Sequence, residues 1–469
     1  MADLQDEADV ATAAIGAPDR ATPRKRGSKP KPGQPAREAG PEADVREATP
    51  EAEAVAPGGT LDPDVRTRAP EAGPEADVLE ATPEAEAVAP GGTLDPDVRT
   101  RAREAGPEAD VREATPEAEA VAPGDTLDPD VRTRIHALLR AHPVADGYNT
   151  LAQVLVNTPW HDVELGESSL DTDIPRLRHG GVGAQFWSLM VAGDCPDPVS
   201  ATLERVDRLR TLVDACPEGL RLAQAIGDLA DARNHGRIAS LFGPVAAHAL
   251  GDSLGTVRAY HALGVRAVAL TATASWTRAG LTRFGQEVVR ELNRLGMAID
   301  LSGAAAETVR ETLGAANAPL VFTRSAARAL TDHPLNVTDE LLGGLPENGG
   351  VCLVSFAPAQ VARAGRPACT QDVADHIEHL RGVVGPDHIG LSGGYGLMPD
   401  APRTVGLEDA SCYPVLLAEL IGRGWDDADL AALTWGNFAR VIRDVDFAAR
   451  AAQPRRGPST ATIEDLDPS

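Results

Sequence analysis

Val265-Arg-Ala-Val-Ala-Leu-Thr271, Phe284-Gly-Gln-Glu-Val-Val-Arg-Glu-Leu-Asn-Arg-Leu295 and Met297-Ala-Ile-Asp-Leu-Ser302 follow one another and read as a strand, a helix and a strand. The outer two are short and apolar. The middle one places Phe284, Val288, Leu292 and Leu295 on one face of a 3.6-residue period, as an amphipathic helix does. The same alternation extends both ways. Further apolar runs lie at Pro143–Asp146, Val182–Val191, Ile238–Gly243, Pro319–Thr323, Val351–Phe356 and His388–Ser392, and Val373–Val383 is a second clear helix. Eight strands alternating with helices predict a (β/α)8 TIM barrel. An open doubly wound sheet is the alternative, but no GxGxxG follows the first strand.

The barrel does not occupy the whole chain. Among 469 residues, all 16 aromatics, 11 histidines and five cysteines lie after position 134. Without aromatics a core is hard to build, so 1–134 is expected to be a disordered acidic tail. It holds 30 acids against 16 bases, while the remainder holds 40 against 28. Near-identical units at 37–69, 70–102 and 103–134 fill most of it, each rich in proline and poor in large apolar groups. A helical solenoid of this period would need more to bury. Asp128 and Pro129 after the third unit read as an N-cap and first helical residue, opening a helix to about Ala141. The expected division is therefore tail 1–134, barrel 135–450 and a second disordered tail 451–469.

Composition also limits function. An acidic body argues against a nucleic-acid partner. The basic run Arg24–Lys31, which holds every lysine, reads as a solvated stretch of the tail. No apolar run reaches the roughly 18–20 residues that cross a bilayer. The acidic N-terminus does not look like a secretory signal, and five widely spaced cysteines without a CxxC pair suit a reducing compartment. A cytoplasmic protein with no membrane contact is expected.

In a TIM barrel, chemistry sits where strands end. Those ends carry Tyr148, Thr150, Gln185, Val245, Ala272, Thr273, Gly303, Arg324, Ala357, Gly394 and Gly396. They include no histidine, carboxylate or cysteine, and hence no general base, metal cage or activated nucleophile. Asp146 and Asp300 lie within or at the ends of strands, where they can serve the backbone. Arg324, pointing inward with Tyr148, Thr150, Thr273 and Ser302, would suit a small anionic or amino-acid-like ligand; alternatively it pairs with Asp300 or Asp146. His248, just past the third strand, is a further candidate for ligand binding. His376 and His379 lie on a helix beside Asp372, Asp375 and Glu378, where a packing or solvated face explains them.

From about Ile135 to Ala449 the chain resembles the membrane dipeptidase (renal dipeptidase) family. The resemblance rests on Asp173-Ile-Pro-Arg-Leu-Arg-His-Gly-Gly-Val-Gly-Ala-Gln-Phe-Trp187, Asp252-Ser-Leu-Gly255, Leu281 through Gly296, Asp375-His-Ile-Glu-His-Leu380 and Gly406-Leu-Glu-Asp409. It implies a binuclear-zinc TIM barrel that hydrolyses dipeptides and commonly dimerises. It also implies a departure. The family's Asp-Gly-His-Asn-Asp motif, which supplies two metal ligands, is matched by Asp146-Gly147-Tyr148-Asn149-Thr150. The bridging glutamate falls at Val245, the two later metal-binding histidines at Gly303 and Arg324, and the catalytic-site aspartate at Gly394. A substrate-contacting histidine becomes Ala272, and the arginine that receives the substrate carboxylate becomes Leu335. These identities predict no zinc, no catalytic residue and a pseudoenzyme or binding subunit. Such a protein is expected to act as a homodimer or paired with an active relative. The alternative is a repurposed metal-free enzyme acting on an amino-acid-like or anionic small molecule at the barrel mouth, and the least expected reading is a retained metallodipeptidase.

Overall fold

Helix α4, Arg283–Leu295, shows how sequence makes the repeating unit. Thr282 caps its start, its Oγ1 accepting the Gly285 N–H at 3.3 Å, and Gly296 ends it at φ +76°, where glycine is free of Cβ strain. Phe284, Val288 and Leu292 are buried and turn toward the sheet. Each such burial contributes about 1.5–3 kcal/mol. The computed structural model describes residues 123–468, with 159–160, 167–168 and 364 outside the description. The repeats at 37–69 and 70–102, and residues 103–122 of the third, lie outside the described residues.

Ten strands run in parallel: β1 Val144–Asn149, β2 Val182–Trp187, β3 Leu220–Leu222, β4 Ile238–Phe242, β5 Val245–Ala246, β6 Ala267–Ala269, β7 Ala298–Asp300, β8 Leu320–Ser325, β9 Val351–Ser355 and β10 Ile389–Ser392. Their order is β3-β4-β2-β1-β10-β9-β8-β7-β6-β5. The chain passes from β4 to β5 through only Gly243 and Pro244, so β5 at one end of that order continues from β4, next to its other end. A parallel bridge from Phe242 to Val265, with the Arg266 N–H donating to Phe242 O at 2.8 Å, completes the ring. The eight anticipated strands thus form the barrel, β5 being the continuation of the third. Leu220–Leu222 is an added edge strand on β4 that three residues, Leu-Arg-Leu, did not announce.

The other helices used below are α1 Pro129–Ala141, α2 Pro198–Ala215, α3 Leu254–Ala262, α5 Thr370–Val384 and α6 Asn437–Ala452. Helix α1 begins as read, with Asp128 Oδ1 accepting from Asp130 N at 3.0 Å. Phe438 of α6 packs edge-on to Phe186 of β2, with centroids 5.5 Å apart.

The chain departs from expectation at two boundaries. Described structure starts at Pro123, twelve residues before the expected barrel start at 135. The second correction concerns 451–469, expected to be disordered. Residues 454–467 instead lie along α3 and α4. Arg456 pairs with Glu287, Arg258 donates to Ser459 O at 3.0 Å, and the Asp467 carboxylate accepts the N–H groups of Arg283 and Phe284 at 3.1 and 3.0 Å. Composition gave little warning because the segment is held mainly by scattered polar contacts, one of them a helix cap, with only Ile463 and Leu466 packed on the core.

Candidate ligand site at the barrel mouth

The C-terminal ends of the strands gather most of the residues singled out in the sequence. Tyr148, next to last in β1, is buried, and the Arg324 guanidinium of β8 lies over its ring, 4.5 Å from the centroid. A cation on an aromatic face is held electrostatically, more strongly as water is excluded. The Tyr148 carbonyl accepts the Gly394 N–H at 3.1 Å, bringing the turn after β10 to the same place. A side chain at Gly394 would meet open space, and φ there is +66°.

The neighbouring positions are closed differently. Thr150 Oγ1 donates to Gly396 O at 2.8 Å and stays near Tyr395 O at 3.3 Å, so its hydroxyl serves the backbone. Val245 is fully buried and pairs with Val268 in the ladder. Ala272 N–H donates to Gly303 O at 3.3 Å. Leu335 Cδ2 stands 3.2 Å from where a Cβ on Gly303 would be, so Leu335 fills the space beside that backbone. Gly303 also has φ +76°. Gly303→Ala should therefore lose about 1–3 kcal/mol, from backbone strain and the push on Leu335. Urea midpoints would measure this; an unchanged midpoint would mean the mouth adapts freely.

Beneath these residues lie two buried acids. Asp300 Oδ1 accepts the N–H groups of Ser302 and Thr323, both at 2.9 Å, and Oδ2 accepts the Thr323 hydroxyl at 2.6 Å. Burial raises its pKa, and these donors oppose the rise. Asp146 Oδ1 accepts from Gly393 N at 2.9 Å and Tyr148 N at 3.2 Å, while Oδ2 is buried without a hydrogen bond. Burial pushes the Asp146 carboxyl up to about 6 against the pull of those N–H groups. Neither acid forms an ion pair with Arg324. Among the described residues no carboxylate lies within 4.0 Å of that guanidinium, so the alternative of an Arg324 pair with Asp146 or Asp300 is not realised.

His248 belongs to the rim. Its Nδ1 bonds Thr273 Oγ1 at 2.8 Å and its Nε2 bonds Ala192 O at 3.0 Å, so both ring nitrogens are engaged. His376 and His379 stay on α5. His376 Nδ1 accepts the Ala327 N–H at 3.1 Å, and burial holds its pKa down at about 4. His379 meets Asp339 at 2.9 Å. Among the described residues no three His, Cys, Asp or Glu side chains form a metal-holding group.

Arg205 is the residue that strand-end reading missed. It projects from α2, half-buried, and donates to Met190 O, a carbonyl shared with Gln153 Nε2 at 3.1 Å. The segment it bonds follows β2 directly, and there the Ser188 N–H donates to Asn149 O at 2.7 Å, next in chain to Tyr148. Its helix carries no motif, and only the fold brings it to the mouth.

A closed ring of eight parallel strands with its polar side chains at one rim defines a TIM barrel. The family model "Membrane dipeptidase (Peptidase family M19)" matches residues 132–456, and the chain belongs to that family. "Dipeptidase 3" of Mus musculus is 39% identical over 331 residues, covering 66% of this chain and 66% of that protein. The chain thus spans about two thirds of that relative's length. "Dipeptidase aclJ" of Aspergillus oryzae is 35% identical over 349 residues, or 68% of this chain and 81% of that protein. The solved "probable dipeptidase PvdM from Pseudomonas aeruginosa" superposes with a TM-score of 0.63 at 21% identity, covering 69% of this chain and all of that one. "Dipeptidase AC, Metallo peptidase" gives 0.58 at 23%, covering 65% and 98%. These structural likenesses establish the fold. No helix among the described residues is long and apolar enough to cross a membrane.

Proposed function

We propose that this protein is a non-hydrolytic member of its family, a barrel that binds a small molecule without metal chemistry. The observation that carries the reading is Arg324 lying over Tyr148, at two positions the family resemblance assigns to metal-binding histidines. A zinc pair needs imidazole, carboxylate or thiolate donors, one of them bridging. Here Thr150 serves two carbonyls, Val245 is in the ladder, Leu335 fills the space beside Gly303, and Arg324 brings positive charge. Asp146 and Asp300, the nearest carboxylates, are engaged by backbone N–H groups. This residue set does not fit two metals. The five cysteines are free, which suits the proposed cytoplasmic location.

The test is metal analysis of purified protein, beside dipeptide hydrolysis with added Zn²⁺ or Co²⁺. The expected outcome is no stoichiometric zinc and no turnover above a protein-free blank. Robust hydrolysis abolished by a chelator would overturn the reading. A second reading, metal-free chemistry on an amino-acid-like or anionic molecule, draws on the Tyr148 hydroxyl, which makes no hydrogen bond among the described residues. It expects Tyr148→Phe to abolish an activity that Arg324→Ala also abolishes.

A further inference from the structure

We propose that the mouth between β1, β2 and β8 is an oxyanion receptor, in which Arg324 and Arg205 take the carboxylate or phosphate group of a small molecule beside Tyr148. This rests on the binding reading above and names the chemistry of its ligand.

The argument begins with what other partly buried arginines do. Arg258 and Arg294 both bond Glu291, at 3.0 and 2.7 Å, Arg403 pairs with Asp171 at 3.2 Å, and Arg423 bonds Asp375 and Glu378 at 2.8 and 2.6 Å. Where no carboxylate is offered, carbonyls substitute. Arg266 donates to the carbonyls of Gln224, His261 and Val265 at 2.8, 2.9 and 2.7 Å. Arg440 likewise donates to Gly349 and Asp387 carbonyls. Arg324 does neither. Its Nε is shut off from solvent with no hydrogen bond, and its only described side-chain partner is the Tyr148 ring.

A guanidinium partly removed from water and left without acceptors is unfavourable, and an anion supplied from outside removes that cost. The planar fork with its parallel N–H groups matches carboxylate and phosphate oxygens. Arg205 adds a second positive charge at the same rim, bonded to the segment after β2 that meets the end of β1 through Ser188 and Asn149. It has one carbonyl acceptor, Met190 O, for five N–H donors. The acids below face away from this role, since Asp300 bonds Ser302 and Thr323, and Asp146 bonds Tyr148 and Gly393 through their N–H groups. The mouth thus offers two cations and no committed anion, inside a body whose acids outnumber its bases 40 to 28. A different basic hollow lies beside α1 and Gly181, lined by His136, Arg140, Arg178 and His179, with a volume of about 460 Å³. Those four side chains are exposed, so water already solvates them, and they serve best as a control.

The experiment titrates the full-length, metal-free protein with inorganic phosphate and, separately, with succinate at constant ionic strength, reading melting temperature and calorimetric binding. Sodium chloride is the reference. At least one oxyanion should give a saturable rise in melting temperature, and the stronger responder identifies a phosphate or a carboxylate ligand. Arg324→Gln should weaken binding by at least about tenfold, Arg205→Gln should weaken it less, and Arg140→Gln should leave it unchanged. Arg324→Lys keeps the charge over Tyr148 without the fork and should fall between parent and Gln, which separates recognition from loss of fold. The proposal is overturned if neither oxyanion exceeds chloride, or if Arg324→Gln binds like the parent. Zinc-dependent hydrolysis would remove the non-hydrolytic reading while leaving this metal-free titration interpretable, so the two failures are distinct.

Discussion

Asp300→Ala should destabilise the barrel by about 3–5 kcal/mol, whereas Asp300→Asn should cost far less. The carboxylate ties β7 to β8 by accepting two backbone N–H groups and the Thr323 hydroxyl. Alanine leaves both N–H groups buried without acceptors, and each such orphan costs about 1–3 kcal/mol. Asparagine keeps one oxygen for the N–H pair and turns an amide toward Thr323, whose hydroxyl can accept. Arg324 follows Thr323 directly, so the loss should also blur the mouth. Urea unfolding of both variants measures the difference, and alanine tolerated within about 1 kcal/mol would show that this carboxylate does not hold the two strands.

Asp146→Asn should stabilise the protein, and increasingly so as pH rises. The folded pKa, pushed up to about 6, lies above the ordinary value of 3.8, so the folded state favours the protonated acid. The stability this contributes is complete below about 3.8 and is lost as pH climbs through 6. Asparagine retains an acceptor for Gly393 and Tyr148 and has no proton to lose. The variant's advantage over the parent should grow between pH 4 and 7 by about 3 kcal/mol, from about two pKa units at 1.36 kcal/mol each, and level off above. Denaturant midpoints at pH 4, 5.5 and 7.5 would show it. A difference constant with pH would mean that burial does not govern this carboxyl.

Much of the fold was legible because it depends on local pattern. Asp128-Pro129 opens α1, the Phe284–Leu295 period lies within α4, and each of the eight apolar runs overlaps a barrel strand. The ring's closure was not legible, since Phe242 meets Val265 only through topology. At the mouth, the strand-end rule located Tyr148, Arg324, Gly303 and Gly394. It could not say that Leu335 would stand against Gly303, or that Arg324 would lie over Tyr148 while Asp300 stayed with Thr323. Those outcomes are decided by packing between segments remote in sequence. Arg205 escaped for the same reason, and 451–469 escaped because scattered polar contacts and two isolated apolar residues, Ile463 and Leu466, leave no hydropathy signature.

The Asp467 cap on α4 bears on how the barrel is made. Its acceptor is 184 residues downstream of the Arg283 N–H it satisfies. While the chain grows on the ribosome, α4 and the strands beside it can assemble long before Asp467 emerges, and water must serve those two donors in the interval. The cap is therefore among the last contacts made. Interactions formed late, after the main barrier, slow unfolding more than they speed folding, so the C-terminal clasp behaves as a latch on a finished ring.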